Sequence, residues 1–182
     1  GAKPGHIRVI DQNEDGILDI NDNIFINADP DWYGSINATL RVKNFDLFMD
    51  WYFVQGVTRV NSILANGEYW KASTNGPVVP YYTPESPSTE WPMANANAAW
   101  LKYLNSFAAK DASYQRLRTV TVGYNFGDSL NQLLRTKSGR LYFTGTNLLT
   151  FTDFLSYSPE QDLRAGVFPE TLNMTLGMKL TF

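Results

Sequence analysis

The last twelve residues constrain the fold more than any other stretch of this chain. Leu172, Met174, Leu176, Met178, Leu180 and Phe182 fall on one side of an extended backbone, and Thr171, Asn173, Thr175, Gly177, Lys179 and Thr181 on the other. A period of two marks a β-strand with one apolar face. The same period recurs upstream. Over 32–42, Trp32, Gly34, Ile36, Ala38, Leu40 and Val42 alternate with Tyr33, Ser35, Asn37, Thr39 and Arg41. A tight turn at Lys43-Asn44 follows, since Asn tolerates left-handed dihedrals. Over 45–54, Phe45, Leu47, Met49, Trp51 and Phe53 then oppose Asp46, Phe48, Asp50 and Tyr52. In 116–126, Val120, Val122, Tyr124 and Phe126 oppose Thr119, Thr121, Gly123 and Asn125; in 140–149, Leu141 and Phe143 oppose Tyr142, Thr144 and Thr146. The expectation is all-β, with five antiparallel strands.

A soluble sandwich also alternates apolar and polar residues. Here, however, the polar faces are mostly uncharged Thr, Asn, Ser, Gly and Tyr, which suits a crowded or water-filled lumen better than open solvent. Charged residues make up 18% of the chain and aromatics 14%, against roughly 25% charged in an average soluble domain. Ten residues at about 3.3 Å each and about 45° tilt rise about 23 Å, close to the ~25 Å apolar band of an outer-membrane barrel. Trp32, Tyr33, Phe45, Tyr124, Phe126 and Phe182 stand at strand ends, where interfacial girdles lie.

The connections alternate in length. Lys43-Asn44 and 127–139 are short, the latter with a helical turn at Ser129–Leu134; 1–31, 55–115 and about 150–170 are long, with a short helix expected within Ala94–Ala109. Up-and-down membrane barrels combine short periplasmic turns with long outer loops. This places the turns and the Phe182 end in the periplasm and the three long connections outside. Five strands would leave two bare edges in lipid, which a bilayer does not tolerate. The chain is therefore expected to be the C-terminal part of a larger transmembrane barrel, or to close one with other chains.

Several function classes drop out. A net charge of -3 and a pI of about 5.1 argue against a nucleic-acid binder. No run approaches about 18 consecutive apolar residues, and the first residues lack the pattern of a signal peptide. There is no Cys, and the one histidine, His6, sits near the terminus. No catalytic residue is expected: a serine–histidine relay, a zinc site and a glycine-rich phosphate loop all lack their parts, and nothing joins Glu85 and Glu90 into an acid–base pair.

Residues 1–31 carry seven acidic and two basic side chains, while the other 151 carry 11 acidic and 13 basic. Within the acidic segment, Asp11-Gln12-Asn13-Glu14-Asp15-Gly16-Ile17-Leu18-Asp19-Ile20-Asn21-Asp22 fits D-x-[DN]-x-[DN]-G-x5-[DE]. Calcium takes six to eight hard oxygen ligands around a tight loop. Asp11, Asn13 and Asp15 would supply side chains, Ile17 its carbonyl, Asp19 a carboxylate or bridged water, and Asp22 the closing carboxylate. Gly16 permits the sharp turn, and Leu18 is expected as an inward apolar anchor. The flanks look extended, so this is an EF-hand-like loop without the helices, and a structural Ca2+ is expected. The alternative is an Asp/Asn/Gly-rich turn without metal.

Connection 55–115 holds Tyr69, Trp70, Tyr81, Tyr82, Trp91, Trp100 and Tyr103 among several prolines. These aromatics either pack the loop on itself or, with Trp70, Trp91 and Trp100 as candidates, stack on substrate.

A set of motifs resembles the C-terminal end of SusC/RagA-type TonB-linked outer-membrane transporters. Asn27-Ala28-Asp29-Pro30-Asp31-Trp32-Tyr33-Gly34 is similar to the family's "NP-P-aromatic-G", with Asp29 where Pro or Asn is common. Phe45-Asp46-Leu47 and Gln55-Gly56 follow. Asp111-Ala112-Ser113-Tyr114-Gln115-Arg116-Leu117-Arg118-Thr119-Val120-Thr121-Val122-Gly123-Tyr124 is close to the family signature. Gly145-Thr146-Asn147-Leu148-Leu149-Thr150-Phe151-Thr152, Tyr157-Ser158-Pro159-Glu160 (Ser158 for the commoner Asp) and the terminal Leu180-Thr181-Phe182 complete the set. The resemblance spans essentially the whole chain, least in 55–115. It implies the last five strands of a plugged 22-stranded barrel in a Gram-negative outer membrane, importing glycans or peptides. It also implies partners: the remainder of the barrel and its plug, a SusD-like surface lipoprotein, membrane lipid, and TonB through an N-terminal part outside this sequence. A second class stays open at this stage, a soluble, Ca2+-stabilised carbohydrate-binding β-domain.

Overall fold

The computed structural model describes residues 3–71, 75–76, 78–94, 99–160, 168 and 170–182. The chain divides into two units. One comprises Pro30–Val57, Ala112–Asp153 and Phe168–Phe182; the other comprises Gly1–Asp29, Thr58–Asp111 and Phe154–Val167.

Among the described residues seven strands form: β1 (Trp32–Val42), β2 (Phe45–Gln55), β3 (Thr58–Val60), β4 (Ala109–Asp111), β5 (Tyr114–Asn125), β6 (Ser138–Thr152) and β7 (Asn173–Thr181). The first unit is a five-stranded antiparallel sheet in the order β1-β2-β5-β6-β7. The five strands read from alternation are all present, longer than expected at several ends. β6 runs on through Thr152, so residues 150–152 belong to the sheet and not to the loop assigned to them. Thr150 and Thr152 pair with Arg116 and Tyr114 of β5, which carries the ladder past the last obvious apolar alternation.

Register turns five separate patterns into one surface. Leu40, Leu47, Val122, Phe143 and Leu176 lie in one row across all five strands, and Val42, Phe45, Tyr124, Leu141 and Met178 in the next. On the opposite face Thr39, Phe48, Thr121, Thr144 and Thr175 form a row, as do Asn37, Asp50, Thr119, Thr146 and Asn173. A one-residue slip in any strand would mix the two faces. The apolar face lies open: Leu40 is 59%, Leu176 71% and Met178 59% exposed. Burial of this face is therefore not what the five strands achieve among themselves.

The β1–β2 turn is the two-residue one expected, with a different residue in the unusual conformation. Lys43 takes φ +52°, while Asn44 spends its amide on the Asn125 carbonyl at 2.9 Å. The β5–β6 connection contains helix α3 (Asp128–Leu134), closed by Arg135 in a left-handed C-cap. We label the two short helices of the second unit α1 (Gly67–Trp70) and α2 (Leu104–Ala108).

The second unit contains the small core. Leu64, Trp70, Leu104 and Ala108 are buried together, with Ile7, Tyr81, Trp91 and Phe107 against them. Asn66 caps α1 by accepting from the Glu68 amide at 3.0 Å, and α2 points Leu104 and Ala108, four residues apart, into the core. β3 and β4 pair as a short ribbon, so the connection 55–115 carries structure that alternation did not reveal. Three residue pairs are too short a run for a period to register.

Candidate functional site

Two regions carry polar chemistry: the acidic loop and the polar face of the five-stranded sheet. In the loop, Asx turns dominate. Asn13 Oδ1 accepts from the Asp15 amide at 3.1 Å and Asp15 Oδ1 from the Ile17 amide at 2.8 Å. Asp11 Oδ2 reaches across to the Gly16 amide at 2.7 Å, and Gly16 takes φ +81°, the sharp turn that its lack of a Cβ permits. Asp22 closes the loop, accepting from the amides of Gln12 at 2.7 Å and Asp19 at 2.8 Å. The amides of Asp19 and Gln12 hold the Asp22 carboxyl below the ordinary carboxylate range.

Not every expected ligand turns to the same point. Both Asp19 oxygens are taken by Asn21, the amide at 2.7 Å and the side chain at 3.2 Å, because Asp19 serves as N-cap of the 3-10 turn Ile20–Asp22. Among the described residues no three acidic or histidine side chains stand close enough together to hold a metal ion. One oxygen, Asp11 Oδ1, is enclosed without a hydrogen-bond donor. Leu18 does not point inward as expected: it is 49% exposed, since no helix pair flanks the loop to offer it a core.

Two of the candidate stacking aromatics, Trp70 and Trp91, pack against neighbouring side chains. Trp70 is 1% exposed, donates its indole N–H to the Leu64 carbonyl at 2.8 Å, and meets Tyr81 and Phe107 edge-on at 5.6 and 5.4 Å. No face is left for a sugar ring. Trp91 packs on Phe107 at 6.0 Å, with Lys110 Nζ at 5.8 Å from its ring. Trp100 belongs to the turn Ala99–Tyr103, and its side chain lies outside the described part of the chain.

On the sheet the polar face carries local clusters of polar contacts. Thr121 and Thr144 hydroxyls bond at 2.9 Å. Near the short-turn end Arg140 pairs with Asp46 at 2.5 Å, and Asn125 donates to the same carboxylate at 2.8 Å. A Cβ on Gly123 would strike both members of the pair, so this residue must be glycine for the two to meet above it. At the other end the register shifts: Asp50 faces Thr119 but Trp51 faces Leu117, leaving Arg118 as an extra residue in β5. β6 answers with its own irregularity, where Asn147 takes φ +56°. A bulge lets neighbouring residues crowd onto one face. Arg118 places its guanidinium 3.3 Å from the Tyr52 ring centre. Arg116 is 2% exposed, bonds Thr150 at 2.9 Å and pairs with Glu170 at 2.6 Å.

The motif residues meet at this end of the sheet. The Asp31 amide donates to the Gln55 carbonyl at 2.9 Å. Gly56, at φ +73°, carries no Cβ because one would collide with the Asp31 carboxylate. Its amide donates to Ser113 Oγ at 2.9 Å, and Ser113 in turn accepts on its carbonyl from Thr152 at 2.9 Å. Sequence reasoning marked these residues only as scattered motifs; their convergence depends on pairing between β2, β5 and β6.

No protein-family model matches the chain. It is 29% identical to the TonB-dependent receptor P26 of Formosa agariphila over 98% of its own length, and 28% identical to the TonB-dependent receptor P3 of that organism over 100%. The fold matches the RagAB peptide importer in its open-open state with a TM-score of 0.64 at 20% identity over 85% of the chain. The closed-closed state gives 0.65 at 19% over 92%. The chain is similar to a segment of SusC/RagA-type TonB-linked transporters. It spans about a fifth of the length of the curated relatives that it matches. These relatives are named as receptors and importers, not as enzymes.

Proposed function

We propose that this chain is the C-terminal part of the barrel wall of an outer-membrane, TonB-dependent importer of glycans or peptides. The observation that carries the reading is the five-stranded sheet whose register collects every alternation into one uncovered apolar face and one polar face rich in Thr and Asn. Water does not favour so large an open apolar face, whereas acyl chains do, and the polar rows suit a lumen. Two open edges call for further strands, in keeping with a wall of 22 strands. The whole transporter would sit in a Gram-negative outer membrane, with its plug and TonB contact in the parts beyond this chain and a SusD-like lipoprotein over its outer loops. The structural neighbours are RagAB peptide importers, which supports peptides as one cargo class.

The test is fractionation of the full-length protein. Recovery from outer membranes only with detergent, with heat-modifiable gel migration, is the expected result. A detergent-free, monodisperse soluble species would overturn it and favour a soluble carbohydrate-binding domain.

We further propose Ca2+ as the ligand of the loop Asp11, Asn13, Asp15, Ile17, Asp19 and Asp22. The hard-oxygen donor set and the enclosed, donorless Asp11 Oδ1 support it. Binding would draw Asp19 off its present partner Asn21. Calorimetry on the full protein is expected to show Ca2+ uptake that Asp15→Asn weakens; absence of heat at millimolar Ca2+ would remove the proposal.

A further inference from the structure

The ribbon β3–β4 sets two positive charges face to face. Arg59 of β3 lies directly opposite Lys110 of β4, and directly opposed side chains of an antiparallel pair share one face at about 5 Å. Like charges placed so destabilise a sheet. Asp111, next along β4, alternates to the other face, opposite Thr58. Among the described residues no carboxylate forms an ion pair with Arg59 or Lys110. Two rings hold the Lys110 ammonium where it is. Its Nζ stands 4.5 Å from the Phe107 ring centre and 5.8 Å from that of Trp91. The two rings meet edge to face at 79°. Both stay partly exposed, as does Lys110, and Arg59 is exposed. A local rule broken with no return inside the fold is the mark of a functional position.

We propose that Arg59 and Lys110 form a site for an acidic saccharide, a sugar that carries a carboxylate or a sulfate ester. The proposal rests on the reading of the chain as part of an importer and names a cargo class for it. One oxyanion accepting from both cations turns their repulsion into a shared attraction. Arg59 brings a planar fork of donors suited to two-point contact, and Lys110 a point charge. Trp91 beside them offers flat apolar surface to the C–H face of a sugar ring. An acidic peptide side chain would engage the cations and leave that surface unused, so the geometry favours the saccharide.

Calorimetry on the full-length transporter in detergent tests this. The probes are oligogalacturonate and a sulfated galactan oligosaccharide, with a neutral galactan oligosaccharide and oligoglutamate as controls. At least one acidic saccharide is expected to bind, more weakly as salt rises. Arg59→Gln and Lys110→Gln are each expected to weaken that binding about tenfold, the effect of one lost charge-assisted contact. Neither variant should lose stability, because each removes a like-charge contact. Absence of binding for both acidic saccharides, or binding that both variants leave unchanged, would overturn the proposal. Equal binding of the neutral oligosaccharide or of oligoglutamate would overturn it as well, since either the anion or the sugar would then go unread. Heat-modifiable migration is recorded on the same samples. A folded barrel that binds neither acidic saccharide overturns this proposal alone, and a protein that forms no barrel overturns the underlying reading with it.

Discussion

Arg116 is the residue on which the long-loop end of the sheet depends most. Its guanidinium is withdrawn from water beside Glu170 and Thr150, so removing Glu170 would take an ion-pair partner from a buried cation. Glu170→Ala is expected to lower stability, with about 3–5 kcal/mol as the ceiling, read from the urea midpoint of the refolded transporter, with Glu170→Gln costing less because it still accepts a hydrogen bond. Gly56 is a second such point. Gly56→Ala would combine a strained left-handed backbone with a collision at Asp31, and a loss of more than about 1 kcal/mol is expected in the same assay. Asp22 sets the acid limit of its loop. Its folded pKa lies below the unfolded value because the Asp19 and Gln12 amides favour the carboxylate. The loop's share of stability is therefore present above the ordinary carboxylate pKa and is lost as pH falls through the lower folded one. Hydrogen exchange should find the Asp19 and Gln12 amides protected at neutral pH and losing protection as pH falls below the ordinary carboxylate range.

At the scale of strands, the two faces predict opposite responses to the same charge. Leu176→Arg puts a cation into the apolar row and is expected to cost about 2–4 kcal/mol if the row lies near the bilayer centre. Thr144→Arg, on the neighbouring strand but the polar face, should cost far less. Comparable losses for the two would contradict the assignment of faces. The strands themselves could be read from alternation because period two follows from local backbone geometry. What escaped that reading has a common cause. The bulge at Arg118 and the left-handed Asn147 exist only because β5 must pair with β2 and β6 at once, in registers that no single strand encodes. The β3–β4 ribbon joins residues about fifty positions apart, and Thr150–Thr152 extend β6 because β5 continues beside them.

For the whole molecule, the sheet and the second unit use aromatic residues in contrary ways. The sheet displays Trp32, Phe45 and Phe151 on an open face, while the second unit encloses Trp70 with Tyr81 and Phe107. Composition could not separate the two uses, and the stacking role considered for Trp70 failed for that reason: exposure is a property of what surrounds a side chain. The sequence alone determined that the chain is β, which residues share a face, where the short turns fall and which twelve-residue loop is built of oxygen donors, since each of these follows from spacing along the backbone. Only the tertiary structure decided that five apolar stripes align into one face, that Arg116 finds Glu170 and Arg140 finds Asp46, and that Gly56, Ser113 and Asp31 meet, because each of those depends on the register between strands distant in sequence.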